Sequence, residues 1–437
     1  MKLWNVKIPI YDKDAFFELE IENGMVVSLD RHHEKISGNH VFSFSEKLEK
    51  DGEWDAKGRI VLPGLADAHM HLDKSHSLYA VGNESGTLEE AIENYRTYSP
   101  NFTDADVKAR IKKTALAALK HGTTAIRTHI DFNTKLDRAA NFRGVRMVLE
   151  AKKELSELID IQVFPMLPYF QYGEKDRTRI EEMLALGVDG IGGAPHLSEV
   201  PHETIDEIFR YAGEYDLPID LHTDESDDPR VDTILYVAEK TMQTNYQGRV
   251  TVDHLCSLAA MEKNKAIRVI QKMKEAELMA ITLPAANMYL QGRDDEGLVR
   301  RGTTRIGEIR DYGIPLAAAS DNVCDPFHPF GRADLLQIAQ LTGYTGHMGG
   351  REDLPELVKM ITTIPKQIMG ISGKGLSIGE EATFVMFDAQ TLGELFAELP
   401  QTRAVFGKGR WLSRVWQEER IAVEGEYVYG ECAHPLL

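Results

Sequence analysis

The chain of 437 residues is 43% hydrophobic and 27% charged, the balance of an ordinary folded enzyme, and this excludes long disordered tracts. That length accommodates two or three modest domains, or one large α/β barrel with an accessory piece. With 69 acidic against 50 basic side chains the formal charge is −19, so nucleic acid and anionic membranes are disfavoured as partners by long-range repulsion.

The N-terminal stretch MKLWNVKIPIYDKDAFFELEIENG alternates polar and apolar residues like a strand and lacks the continuous apolar core of a signal peptide. The runs FFELEIENGMVVSLD and HVFSFSE, separated by Gly and Asn turns, read as hairpins of a small sheet. Similar runs return near the C-terminus in EATFVMFDA, RAVFGKGRWL and RIAVEGEYVYG. Between them short apolar runs alternate with long amphipathic helical stretches, the rhythm of βα units and a parallel sheet.

Eight strands are expected around Ile60–Ala66, Thr124–Ile130, Ile159–Met166, Gly187–Gly192, Pro218–His222, Val250–His254, Leu278–Thr282 and Leu316–Ser320. The helices between them include TLEEAIENYRTY, TDADVKARIKKTALAALKHG and GVRMVLEAKKEL. In the second, Thr103 with Asp106 resembles a capping box and His121-Gly122 supplies a stop. The expected architecture is a (β/α)8 TIM barrel over residues 59–378, with a small β-sandwich built from both termini, residues 1–58 and 379–437.

Cys256, Cys324 and Cys432 are too scattered for a disulfide framework or a C-x-x-C metal knot. A reducing, cytoplasmic setting fits them, and no stretch of about 18 apolar residues offers a membrane span. Composition is compatible with a homo-oligomer.

The chemically specific stretch is LPGLADAHMHLDK, residues 62–74. In a strand, residues i and i+2 point to one side, so His69 and His71 aim both imidazoles at one point. Active-site groups of a barrel sit at the C-terminal ends of its strands. There too stand His129 in AIRTHID, His222 with Glu225 in PIDLHTDESDD, His254 in VTVDHLC and Asp321 in LAAASDNVCDPF. Each alone reads as a hydrogen-bonded strand-end residue or helix cap; together they supply a shell for a borderline divalent ion such as Zn²⁺ or Fe²⁺.

The ordered motifs VLPGLADAHMHLDKS, ESGTLEEAIENY, HGTTAIRTHID, HTDESDD, YLQGR followed by RRGTTRIGEI, and SDNVCDPFHPFGRADLLQ make the chain resemble the amidohydrolase superfamily, in its bacterial cytosine deaminase-like branch. It is also similar to the N-isopropylammelide isopropylamidohydrolases. The resemblance implies His69, His71, His222 and Asp321 as metal ligands, Glu225 as proton shuttle, and His254 facing the attacking water and the oxyanion. Asp321 would accept the water's proton. Two-metal amidohydrolases use a carboxylated lysine at the end of the fourth strand; here DGIGGAPH has none, so one Zn²⁺ or Fe²⁺ per chain is expected.

The activity so implied is hydrolytic removal of ammonia or an amine from a small nitrogen heterocycle. The alternatives are a cyclic amide or lactone hydrolase, and an inactive scaffold. Two departures from the cytosine deaminase pattern bear on substrate. Met166 stands where a glutamine reads the pyrimidine amide, and Asn322 replaces a second aspartate. Met166, Asn322 and Gln291 are the expected substrate contacts, with Tyr169, Phe170 and Phe327 as candidate walls and Asp73 and Lys74 as a buttress of the ligand loop.

Overall fold

The computed structural model describes residues 1–36, 40–46, 52–423 and 426–430, with side chains described up to residue 418. The chain divides into two compact units, one of Met1–Leu62 with Gly375–Leu437 and one of Pro63–Lys374.

The larger unit holds an eight-stranded parallel sheet in sequential order: β1 (Leu65–Met70), β2 (Thr123–Asp131), β3 (Asp160–Leu167), β4 (Ile191–Gly193), β5 (Ile219–Thr223), β6 (Val250–His254), β7 (Met279–Thr282) and β8 (Leu316–Ala318). An isolated bridge between Met70 and Asp321 brings the last segment back beside the first, so the sheet nearly closes as a TIM barrel. Seven consecutive pairs from Ala125↔Asp160 to Asp131↔Met166 fix β2 against β3. His222↔Asp253 and Thr223↔His254 fix β5 against β6.

The helices follow from local signals. Thr87 caps Leu88–Tyr98 through the Glu90 N–H, and Thr103 caps Asp104–Lys120 through the Asp106 N–H, leaving acidic residues in both first turns. The second of these ends at His121, and Gly122 then takes φ +104°, a left-handed turn that glycine adopts without a Cβ penalty. Asp137 caps Arg138–Glu154.

The first strand begins later than its sequence suggests. Val61–Pro63 joins a four-stranded sheet with Phe384–Phe387, Arg403–Gly407 and Arg410–Val415, and the barrel strand starts only at Leu65. Pro63 has no N–H for a ladder, so the apolar run is cut there. The fourth and eighth strands shorten to Ile191–Gly193 and Leu316–Ala318.

In the smaller unit, Phe16–Glu22 and Met25–His32 form a hairpin flanked by Lys2–Val6 and Glu381–Ala382. Leu3, Leu19, Ile21, Phe42, Phe384 and Phe406 share its core, so both chain ends build it. HVFSFSE makes no strand; Val41 forms one bridge to Asp55 while Phe42 and Phe44 turn inward. Glu419–Val423 and Glu426–Gly430 pair as a hairpin, and Cys432 lies outside the described residues. Cys256 and Cys324 are free thiols. No helix among the described residues is long and apolar enough to cross a membrane.

Inside the barrel, Arg127 of β2 is buried with its guanidinium 2.7 Å from Asp220 of β5. Its other N–H groups reach Gln162 Oε1 at 3.1 Å and the Ile368 carbonyl at 3.0 Å. Removing one partner of a buried ion pair leaves the other group stranded and costs roughly 3–5 kcal/mol. Arg127→Met is therefore expected to lower unfolding free energy by about that amount, measured by urea denaturation.

Candidate active site

His69 lies on β1 and His71 one residue beyond its end, while His222 comes from β5, His254 ends β6 and Asp321 follows β8. The backbone turns left-handed at His254 (φ +63°), Leu255 (φ +53°) and Asp321 (φ +60°). Such conformations cost non-glycine residues of order 1–3 kcal/mol and cluster where a side chain must be aimed. Asp321 is held by its own N–H, which donates to the His69 carbonyl at 2.9 Å.

His69 Nδ1 meets Asp253 Oδ2 at 2.8 Å, and its Nε2 lies 3.5 Å from Asp321 Oδ1. His71 Nε2 is 3.4 Å from the same oxygen and 3.1 Å from His222 Nε2. His69 Nε2 and Asp321 Oδ1 are buried without hydrogen-bond partners. Four ligands at 2.0–2.2 Å around one tetrahedral ion stand about 3.4 Å apart. The separations among His69, His71 and Asp321 match that spacing, so these three fit a divalent cation, and His222 approaches them through His71 at 3.1 Å. The carboxylate behind His69 is the usual support for a ligating imidazole.

Charge states differ along the cluster: burial opposes protonation of His69, but Asp253 and then Asp321 outweigh it and hold that ring well above the usual imidazole range. Burial holds His71 and His222 well below the usual imidazole range and brings His254 down to about 3, leaving neutral rings. Burial opposes ionisation of Asp321, but His69 beside it outweighs burial and keeps the carboxyl below its ordinary range. Glu225 behaves oppositely: burial first, then the Asp321 charge, push it up to about 8, so it retains its proton at neutral pH. One cluster thus combines a carboxylate and a carboxylic acid, the pairing that divides base from acid.

A cavity of about 620 Å³ opens from this cluster, with His71, His222, Glu225, His254, Asp321 and Asn322 on its lining. Met166, Tyr169, Phe170 and Phe327 also line it. Asn322 commits its amide N–H to Asp325 Oδ2 at 2.8 Å. Gln291 is not on the lining; its amide favours the ionised form of the Glu225 carboxyl. Asp73 braces the loop by accepting the Asp131 N–H at 3.3 Å. Lys74 does more than buttress. Its ammonium reaches the cavity lining, 2.9 Å from Asp131 and 4.7 Å from the centre of the Phe327 ring.

His129 does not reach the cavity lining. It packs under His69 with ring centres 4.2 Å apart. Sequence reasoning also passed over Asp253, Asn287 and His196. Asp253 had a visible signal, a charged residue inside the apolar run VTVDH. His196 lines the cavity and its Nδ1 lies 3.1 Å from the His222 carbonyl.

The amidohydrolase family profile matches residues 80–405. The chain belongs to the amidohydrolase family. It is 31% identical over 363 residues to a pterin deaminase of Rhizobium rhizogenes, covering 82% of each chain. To an N-isopropylammelide isopropyl amidohydrolase of Pseudomonas sp. strain ADP it is 32% identical over 387 residues, 85% of this chain and 91% of that one. The structure of a Klebsiella pneumoniae 5-methylcytosine deaminase liganded with 5-fluorocytosine shares the fold at a TM-score of 0.86, with 24% identity, 98% of this chain and 100% of that chain covered.

In this amidohydrolase β4 contributes a glycine that packs against the imidazole beneath His69. A Cβ on Gly192 would stand 3.0 Å from His129 Nδ1 and 3.2 Å from the Asp220 carbonyl. Overpacking a tight interior costs typically 1–3 kcal/mol. Gly192→Ala is expected to destabilise by about that amount in thermal or chemical denaturation, and His129→Ala in the same chain is expected to recover part of the packing loss.

Proposed function

We propose that the protein is a hydrolytic deaminase or aminohydrolase that uses one divalent cation, Zn²⁺ or Fe²⁺, to release ammonia or an amine from a small nitrogen heterocycle. The observation that carries this reading is that His71, His222, Glu225, His254 and Asp321 line one cavity, with His69 behind them 3.5 Å from Asp321 Oδ1. His69, His71, His222 and Asp321 would hold the cation. When bound, a divalent cation acts as a Lewis acid and lowers the pKa of coordinated water toward neutrality. The run DGIGGAPH around β4 carries no lysine to bridge a second ion, which supports a single one.

The chain's own groups then divide the proton work. Asp321, an ionised carboxylate, takes a proton from the attacking water. Glu225 gives its proton to the ring nitrogen of the C=N bond under attack, takes the proton of the added hydroxyl as the carbonyl forms and hands it to the departing amine, and the proton held by Asp321 then restores Glu225. His254 hydrogen-bonds the oxygen that gains charge. Water adds to the ring carbon, the exocyclic C–N bond breaks, and the product is a lactam plus ammonia or an amine.

The relatives named above act, by their names, on a pterin, N-isopropylammelide and 5-methylcytosine, which supports a heterocyclic substrate. The lining supports one larger than cytosine. Met166 offers a polarisable surface to a ring or alkyl group and only a weak acceptor to a ring amide. With one amide N–H engaged by Asp325, Asn322 retains its carbonyl oxygen and second N–H for substrate. Lys74 adds a buried ammonium for a ring carbonyl.

Glu225→Gln preserves size and removes the shuttled proton, so turnover is expected to fall by about 10²–10⁴ with metal content unchanged at one ion per chain. Steady-state kinetics and elemental analysis of the same preparation check both; near-wild-type turnover, or two ions per chain, would overturn the scheme. In an amine-release screen, substituted aminopyrimidines, pterins and alkylaminotriazines are expected to exceed cytosine in kcat/KM. Cytosine at or above about 10⁵ M⁻¹s⁻¹, an ordinary native-substrate value, would remove Met166 from specificity.

A further inference from the structure

The helix Pro284–Leu290 follows β7, and Gln291 caps its end. Asn287 and Gln291 are four residues apart, one turn of a helix, so they share a face. Both are buried, and the Gln291 N–H donates to the Asn287 carbonyl at 2.9 Å. Their side chains reach two groups that are themselves neighbours. Asn287 Nδ2 lies 2.9 Å from His254 Nδ1, Glu225 Oε1 lies 3.4 Å from that same nitrogen, and the Gln291 amide favours the ionised form of the Glu225 carboxyl. One helical turn therefore touches both groups assigned above to proton handling.

The segment after the helix is fixed tightly. Gly292, at φ +72°, donates its N–H to Asp227 Oδ2 at 2.6 Å, two residues beyond Glu225. A Cβ there would stand 1.8 Å from the Arg300 carbonyl oxygen, and one on Gly302 would stand 2.2 Å from Gln291 Cβ. Gln291 is thereby held between its own helix and a returning backbone.

A neutral imidazole carries one hydrogen, on either ring nitrogen. A nitrogen that accepts an amide N–H is the bare one, so the hydrogen must sit on the other. His254 Nε2 is buried without a protein partner, and the ring is on the cavity lining.

We propose that Asn287 and Gln291 are positioning residues: Asn287 donates to His254 Nδ1 and so keeps the imidazole hydrogen on Nε2, facing the reacting oxygen, while Gln291 fixes the Glu225 carboxyl. This rests on the deaminase reading for the use made of that hydrogen. The arrangement itself stands apart from it. In the opposite tautomer His254 would present a lone pair to an oxygen gaining negative charge, and the interaction would be repulsive.

The test is the ¹⁵N spectrum of histidine-labelled, zinc-loaded protein. The wild-type His254 is expected as the Nε2–H tautomer. Asn287→Asp is nearly isosteric but carries only acceptors, so it is expected to shift His254 toward Nδ1–H. It should also lower kcat by about 10²–10³, the loss typical of one oxyanion donor, with KM and zinc content little changed. Gln291→Leu is expected to lower kcat at least tenfold while leaving the His254 tautomer as in wild type, which separates the two roles. A wild-type Nδ1–H tautomer, or an Asn287→Asp chain with unchanged tautomer and kcat, would overturn the assignment to Asn287. Unchanged kcat in Gln291→Leu would overturn that to Gln291. If Asn287→Asp does not fold, the wild-type spectrum still decides the tautomer and Asn287→Ser supplies the kinetics. A chain that releases no amine from any heterocycle yet shows the Nε2–H tautomer would defeat the functional reading and leave the hydrogen-bond assignment standing.

Discussion

The site depends on how the barrel closes. β8 and β1 meet through the bridge between Met70 and Asp321, with the Asp321 N–H on the His69 carbonyl at 2.9 Å. That one backbone hydrogen bond joins residues 252 positions apart and sets a carboxylate beside two imidazoles. Side-chain geometry follows from it: Asp321 Oδ1 lies 3.4 Å from His71 Nε2 and 3.5 Å from His69 Nε2. The left-handed turn at Asp321 (φ +60°) is the local strain of bending the chain out of β8 into that contact.

Beneath the seam the interior is held by charges more than is usual for a barrel core. Arg127, Asp220, Asp253 and His69 form a buried run from β2 through β5 and β6 to β1. Burial and Asp253 oppose the Asp220 charge, and the Arg127 guanidinium 2.7 Å away favours it. A buried network of this kind contributes less to net stability than an apolar core of equal volume, but it admits few alternative packings. Its last member orients His69. The same interactions that fix the barrel's centre thus fix one imidazole of the site.

Much of the site was legible because strand ends in a parallel barrel face one way, so His69, His71, His222, His254 and Asp321 could be collected from separate motifs. The helix caps at Thr87 and Thr103 were readable from local chemistry alone. What escaped were relations across strands. Asp253 and Arg127 stood out as charges in apolar runs, yet their partners depend on register, with His222 beside Asp253. The YLQGR motif signalled a role, but its packing did not follow from sequence: Gly292 and Gly302 let two backbone segments close around Gln291. The first strand was misplaced because the apolar run from Ile60 to Ala66 serves two sheets, and only the proline between them marks the division.

The fit of His129 against Gly192 also bears on how such a site changes over generations. A two-metal amidohydrolase carries a bridging lysine at the end of its fourth strand, in the region where this chain has glycines packed 3.0 Å from an imidazole nitrogen. Any larger residue at Gly192 meets His129 first, and a smaller residue at His129 arriving alone opens a void under His69. The size tolerated at position 192 is therefore set by how far the imidazole at position 129 can give way.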